Sequence, residues 1–420
     1  MDVTSLGACR FPSPRRGFVS DHARIPETIA RGPGLPTGEG NLFELAGPRE
    51  RLFFDPGRSR AGIVTCGGLC PGLNNVIRSL FLELHYGYGV PEVLGFRQGY
   101  EGLDPAHGLE PLVLTRRIVD DIHKHGGTIL GTSRGPVDIE IAVEHLIRRG
   151  VDMLFCIGGD GTQRGAFALY EAAKRRGHAL AVVGVPKTID NDVRYVTRTF
   201  GYMTALEESR RVIDAAHTEA RSVRNGISVV KLMGRHAGFV AAGATVASQD
   251  VNFALVPEVP FALEGPHGFL AALEQRIHDR GHAVVVVAEG AGQDLMARGP
   301  AARDASGNVK LQDVGPFLRE AIAARFSAAR VPVTLRYFDP SYQIRSRPAN
   351  CEDAVLCDQF ARHAVHAALA GKTGLVLGFL HGTFVHVPTA LIVRGAKQLD
   401  PDGMLWQAVL STTGQPARFE

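Results

Sequence analysis

The 420-residue chain is poor in cysteine and tryptophan, has no long apolar run, and lacks an excess of either charge. Six cysteines (Cys9, Cys66, Cys70, Cys156, Cys351 and Cys357) are too few for a disulfide scaffold of this length, and three lie within or beside apolar runs. They read as reduced thiols of a cytoplasmic protein. A zinc site at Cys66 and Cys70 would call for a second matching pair, which the sequence does not offer; packing or turn thiols are the plainer reading. No apolar run approaches the roughly 18 residues of a membrane helix. The densest one is Ala283 to Ala288, and the N-terminus lacks the apolar core of a secretory signal. With 46 basic against 43 acidic side chains and a formal charge of +3, neither nucleic acid nor an anionic membrane is expected as the main partner.

What is present is a globular composition, 45% hydrophobic and 21% charged, which excludes a wholly disordered, collagen-like or coiled-coil chain. The length suggests two or three domains. Residues 1–60 stand apart. Cys9–Arg16 and Arg31–Gly38 are rich in turn residues and lack periodicity, which predicts an extended arm; the competing transit-peptide reading is weakened by Asp2, Asp21 and Glu27. From Ala61 onward, short β-rich runs alternate with segments of helical period. Strands are predicted over 62–66, 153–157, 180–185, 227–232, 283–288 and 333–337. Helices are predicted over 73–85, 139–149, 162–176, 202–217, 270–280 and 352–370. Short apolar strands separated by helices indicate parallel sheets buried on both faces, an α/β architecture. Such sheets bind ligands beyond the carboxyl ends of their strands.

Chemistry is therefore sought just after each strand. After the first comes Cys66-Gly-Gly-Leu-Cys-Pro-Gly-Leu-Asn-Asn75, a tight turn whose amides can approach an anion. It is neither a Walker A loop nor a dinucleotide fingerprint. Gly126-Gly-Thr-Ile-Leu-Gly-Thr-Ser-Arg-Gly135 combines glycines and small hydroxyls with Arg134, which suits a polyanion. Phe155-Cys-Ile-Gly-Gly-Asp-Gly-Thr-Gln163 follows a strand and opens a helix. There Gly158 and Gly159 admit phosphates to the backbone, Asp160 offers a carboxylate to phosphate-bound magnesium, and Thr162 can cap the helix and donate to an oxygen. Gly184-Val-Pro-Lys-Thr-Ile-Asp-Asn-Asp192 places Lys187 three residues before Asp190. A carboxylate near a lysine and phosphates can take a hydroxyl proton while the lysine neutralises charge. Later, Arg235 and Arg345 suit a substrate phosphate, because a guanidinium fork matches its oxygens, and Glu289 could accept from sugar hydroxyls.

Taken together, Gly67–Asn74, Gly158-Gly-Asp-Gly-Thr162, Pro186-Lys-Thr-Ile-Asp-Asn-Asp192 and Met233-Gly-Arg235 resemble the 6-phosphofructokinases, in that family's order and over roughly residues 48 to 385. The likeness is greatest to the plant and trypanosome branch, whose N-terminal arm Phe11-Pro-Ser-Pro and Phe18–Arg24 also resemble. The resemblance implies two doubly wound three-layer α/β domains with parallel-rich sheets and an active-site cleft between them. The arm would be residues 1–60, the nucleotide-binding domain 61–200 completed by part of 340–420, and the substrate-binding domain 201–339.

It further implies ATP and fructose 6-phosphate as substrates, Mg²⁺ as cofactor, and a homo-oligomer, dimer or tetramer. Gly67, Arg134, Gly135, Gly159, Asp160, Gly161 and Thr162 would hold ATP, with Asp160 on the metal. Asp190 would be the general base, with Thr188 and Ile189 beside it at the sugar's reacting end. Met233, Gly234, Arg235, Glu289, Tyr342, Gln343, Ile344 and Arg345 would hold the sugar phosphate. For the donor, two residues pull in opposite directions. Pyrophosphate-dependent members carry an Asp where this chain has Gly161, which favours ATP, but they also carry a lysine at the position of Lys187; in the plant and trypanosome branch glycine and lysine coexist.

Two departures stand out. Bacterial members have a cross-subunit arginine where this chain has Gly226; Arg224 or Lys231 are candidate substitutes, and Arg336 falls at a second such position. His236 stands where the branch commonly has Asp and is expected to pack at the pocket edge. The competing functions are a pyrophosphate-dependent kinase, a lipid or NAD kinase sharing only Gly-Gly-Asp-Gly-Thr, and a non-catalytic subunit of kinase ancestry. A dinucleotide-dependent oxidoreductase is disfavoured by the missing fingerprint.

Overall fold

Each apolar run marked as a strand is one, to within two residues, in the computed structural model, which describes residues 3–30, 40–135, 137–296 and 309–420. The strands are Arg60–Thr65, Met153–Gly158, Ala181–Pro186, Gly226–Leu232, His282–Ala288 and Thr334–Phe338. The expected helices are equally present, among them Leu73–Leu82, Ile139–Arg148, Asp160–Arg175 and Cys351–Leu369. The turn-rich Arg31–Gly38 stretch lies outside the described residues. The chain forms two units. The first comprises Met1–Thr188, Val193–Gly201 and Ser346–Ala396; the second comprises Ile189–Asp192, Tyr202–Arg345 and Lys397–Glu420.

In the first unit the described residues build a nine-stranded sheet. Its centre is parallel, in the order Leu375–Leu380, Ala181–Pro186, Met153–Gly158, Arg60–Thr65 and Glu92–Phe96, with Phe155 opposite both Val183 and Ile63. These strands are buried along nearly their whole length, as a sheet covered on both faces must be. The Ile139–Arg148 and Asp160–Arg175 helices pack Leu146, Ala166 and Leu169 into one core with Leu154 and Val182. Asp138 fixes where the first of these helices begins, its carboxylate accepting from the N–H groups of Glu140 and Ile141. The Leu73–Leu82 and Cys351–Leu369 helices pack on each other.

The run read as one helix to His85 changes hand-hold at Glu83, where a π-helical turn spans Glu83–Gly87. A Cβ on Gly87 would stand 2.6 Å from Arg15 Nη2 and 2.9 Å from the Glu83 carboxyl carbon. Glycine there leaves room for the buried Glu83 to pair with both Arg15 and Arg362.

The N-terminal arm is part of this unit's fabric. Thr4–Ser5 pairs with Lys372–Thr373, and Phe11–Pro12 with Arg51–Leu52. Arg24–Pro26 and Leu42–Leu45 extend the large sheet beyond Thr383–Pro388. Buried Arg49 clamps it by ion pairs of 2.8 Å to Asp21 and 2.8 Å to Glu44.

The second unit holds a four-stranded parallel sheet among its described residues, in the order Phe253–Leu255, His282–Ala288, Gly226–Leu232, Thr334–Phe338. Its core joins Val229, Val285 and Val287 to Leu270, Leu273, Leu318, Ile322 and Phe419.

Candidate functional site

In the first unit, three loops at the carboxyl ends of neighbouring parallel strands, together with the loop between Lys124 and Ile139, are stitched into one surface. Thr132 Oγ1 donates to the Gly67 carbonyl at 2.6 Å, and the Gly67 amide donates to the Ser133 carbonyl at 3.1 Å. Asn74 bridges the same two loops, donating to the His125 carbonyl at 3.1 Å and accepting from the Ile129 amide at 2.9 Å. Lys187, only 6% exposed, donates its ammonium to the Gly68 carbonyl, and a Cβ on Gly67 would lie 3.6 Å from its Nζ. The Lys187 amide bonds the Gly158 carbonyl at 3.1 Å, and a Cβ on Gly159 would lie 3.4 Å from the Lys187 carbonyl oxygen. Gly67, Gly159 and Lys187 are thus brought together. Arg134 and Gly135 lie on the exposed end of their loop.

The helix after Gly158 begins at Asp160, with Gly159 at its N-cap and no side-chain cap. This corrects the capping role expected of Thr162. It sits in the first turn, buried, its hydroxyl packed where a Cβ on Gly158 would come within 2.1 Å of it. With no side-chain cap, the first-turn amides and the positive end of the helix dipole are presented by Gly159, Asp160 and Gly161. Asp160 is half-buried and Gly161 exposed. A Cβ on Gly161 would meet nothing nearer than Arg164 Nη2 at 3.9 Å. Buried Gln163, which the motif reading passed over, donates to the Gly158 carbonyl at 2.9 Å and ties down the strand end. Cys66 and Cys70 are separate buried thiols; burial pushes the Cys66 thiol up to about 12, so it stays protonated.

Thr188 closes the first unit's share of this motif, its carbonyl accepting from Thr199 Oγ1 at 2.8 Å. The chain enters the second unit with Ile189, which is buried, and half-buried Asp190. Asn191 adopts φ 56°, a left-handed conformation that asparagine tolerates better than most residues, and so separates Asp190 from Asp192 by a turn. The Asp192 carbonyl accepts from the Lys397 amide at 2.7 Å. Burial lowers the Lys397 ammonium to about 8 against the opposing pull of Asp192. Lys397 belongs to no sequence motif; only the fold brings it to Asp192.

Within the second unit, Met233-Gly-Arg235 and Glu289 follow adjacent parallel strands. The Glu289 amide donates to the Leu232 carbonyl at 2.9 Å and the Gly290 amide to the Gly234 carbonyl at 3.1 Å. Burial raises the Glu289 carboxyl, while Arg235, Lys231 and Arg345 pull it back down. Arg235 donates to the Val309 carbonyl. The short Ser341–Arg345 helix carries Tyr342, exposed, with the Arg345 guanidinium 4.4 Å above its ring centroid, and exposed Gln343. Ile344 is a correction: its side chain is fully buried in the core and anchors the helix instead of facing a ligand.

The departures resolve physically. A Cβ on Gly226 would lie 2.1 Å from the Ala220 carbonyl oxygen, so no arginine fits at that strand start. Lys231 cannot substitute for one, since its ammonium is buried between Asp313 at 2.9 Å and Asp339 at 2.8 Å. Arg224 is exposed, and Arg336 lies 3.7 Å from Glu219. His236 is exposed, contrary to the packing role expected of it.

Comparison with known proteins gives a consistent result. The family model described as phosphofructokinase matches residues 60–368. A protein of Amycolatopsis methanolica named ATP-dependent 6-phosphofructokinase is 48% identical over 440 aligned positions, covering 99% of this chain and 95% of its own. The protein of that name from Trypanosoma brucei brucei is 47% identical, covering 89% of this chain and 76% of its own. ATP-dependent 6-phosphofructokinase 7 of Arabidopsis thaliana is 45% identical, with 95% and 82% covered. The likeness to plant and trypanosome proteins therefore holds and extends to bacteria. A solved pyrophosphate-dependent phosphofructokinase from Marinobacter aquaeolei shares the fold, with a TM-score of 0.70 at 20% identity over 84% of this chain and 91% of its own. The chain belongs to the phosphofructokinase family.

Proposed function

We propose that this chain transfers the terminal phosphoryl group of ATP to the primary hydroxyl of fructose 6-phosphate, giving fructose 1,6-bisphosphate and ADP. The observation that carries this reading is the gathering of Gly67, Gly68 and Gly159 around Lys187 beside an uncapped helix N-terminus. Amides and a positive dipole end there suit a chain of phosphates. Relatives of nearly equal length, up to 48% identical, carry the name ATP-dependent 6-phosphofructokinase.

Phosphoryl transfer asks a protein mainly for positioning and charge neutralisation. In this reading the amides of Gly159 to Thr162 hold phosphate oxygens, Lys187 and Arg134 add positive charge, and open Gly161 leaves room for the nucleotide. Asp160 fits Mg²⁺. It offers a half-buried carboxylate, and no cluster of three His, Cys, Asp or Glu exists among the described residues, which suits a metal held mostly by phosphates and water. When bound, Mg²⁺ neutralises charge on the phosphate oxygens. Asp190 accepts the proton of the attacking hydroxyl. Arg235 and Arg345 receive the sugar's phosphate, and Glu289 accepts from its hydroxyls. A homo-oligomer, dimer or tetramer, completes the reading.

A coupled assay on fructose 6-phosphate with ATP or pyrophosphate tests the reaction, and faster turnover with pyrophosphate would overturn the donor assignment. Asp190→Ala lowers kcat about 10³-fold, within the range general bases contribute, with ATP binding intact. A kcat within threefold of wild type would remove Asp190 from that role.

A further inference from the structure

Lys231 is a cation on a central strand of the second unit's sheet, two residues before Met233, and no step of the reaction uses it. Its Nζ lies 2.9 Å from Asp313 Oδ1 and 2.8 Å from Asp339 Oδ2. Each acid starts a different element. Asp313 caps the Val314–Ala328 helix, its carboxylate accepting from the Gly315 amide at 3.1 Å. Asp339 follows the edge strand Thr334–Phe338 and holds the head of the Ser341–Arg345 helix, accepting from Ser341 Oγ at 2.6 Å and from the Ser341 amide at 3.2 Å. One buried ammonium therefore ties the starts of two helices to the strand that runs into Met-Gly-Arg.

The second of those helices is five residues long and carries Tyr342 and Arg345. A helix that short has little stability of its own and stays in place only through tertiary contacts. Ile344 anchors it from below and the Asp339–Lys231 pair fixes its first residue. A phosphate-binding guanidinium is useful only if held in register with its partners, since small displacements cost large factors in binding.

We infer that Lys231 is a positioning residue for the sugar-phosphate half of the site: through Asp339 and Ser341 it sets the helix that presents Tyr342 and Arg345 alongside Arg235 and Glu289. The inference rests on the reaction proposed above. Lys231 touches neither substrate. Its loss acts on one substrate only, because both of its ion pairs lie in the unit that bears Arg235, Glu289 and Arg345.

The test is steady-state kinetics with both substrates varied, on wild type, Lys231→Met, Lys231→Arg and Asp339→Asn, each checked for folding by circular dichroism. In Lys231→Met the KM for fructose 6-phosphate rises about tenfold and the KM for ATP stays within twofold. Asp339→Asn shows the same split, about threefold, and Lys231→Arg restores most of the loss. Asp339 is partly exposed, so its variant carries the test if Lys231→Met does not fold. Folded variants in which both KM values shift equally, or neither shifts, overturn the inference. Wild type that does not phosphorylate fructose 6-phosphate overturns the reaction itself, a different and separately visible result.

Discussion

Replacing Gly161 by Asp should move stability and activity in opposite directions. The new Cβ stands in open space, 3.9 Å from Arg164 Nη2, and Gly161 has no left-handed φ that would resist a side chain. At the second residue of a helix, exchanging glycine for a carboxylate improves propensity and complements the dipole, less some repulsion from Asp160; the net gain is about 0.5 kcal/mol. On the ligand side, a carboxylate about 5 Å from a phosphate charge, at an effective dielectric near 20, costs roughly 3 kcal/mol. That is on the order of a 10²-fold loss in kcat/KM for ATP. A smaller loss is expected with pyrophosphate, which has no nucleotide to place there. Thermal denaturation and the two-donor coupled assay read both quantities on one preparation. A kcat/KM for ATP within threefold of wild type, with the variant folded, would refute the placement of the nucleotide over Gly161. An equal loss with both donors would refute its role in donor choice.

Two further outcomes follow from packing and charge. Gly72 has φ 103°, and a Cβ there would stand 2.5 Å from the buried Cys357 Sγ and 3.0 Å from Phe200; Gly72→Ala should destabilise by about 2–4 kcal/mol, read as a lower denaturation midpoint. Half-buried His363 and buried His366 have their imidazoles lowered by burial, from 6.5 to about 4 and about 3. Their neutral forms support the fold fully above pH 6.5, and that support is lost as pH falls from 6.5 toward those values, by up to ~1.4 kcal/mol per pH unit per imidazole. Glu44, held at about 2 against burial by His386, Lys372 and Arg49, loses its own support only below about 4.5. Urea midpoints between pH 7 and 5 therefore report these two histidines together with His123, His145, His282 and His386, which burial also lowers, and a flat profile there would show that the set is not held neutral in the fold.

The parallel strands were legible as short, mostly apolar runs, such as Ala181–Pro186 and His282–Ala288, and the loops because glycines, hydroxyls and charges follow those strands in a fixed order. The missed pieces lacked such contrast. The Leu375–Leu380 and Thr383–Pro388 hairpin turns through His381 and Gly382, both at positive φ, and His-Gly is a weaker hairpin signal than Asn-Gly. The Phe239–Ser248 helix, rich in alanine and mostly buried, offers no polar face from which to read a period. Ile344 was misplaced for the same reason that Tyr342 and Arg345 were found: a motif of adjacent residues names a helix turn, and only the fold decides which of its members face inward. Lys231 and Lys397 draw their surroundings from acids 82 and 205 residues away along the chain, beyond the reach of any local pattern.

The pairing of the arm with late strands sets a clock on biosynthesis. Leu42–Leu45 lies beside Thr383–Pro388, and Thr4–Ser5 beside Lys372–Thr373. A ribosome adding 5–20 residues per second needs roughly 20–70 s to deliver those partners. For that interval Phe43, fully covered in the finished protein, has no sheet to rest against. The nascent arm accordingly stays undocked until those late strands have been made.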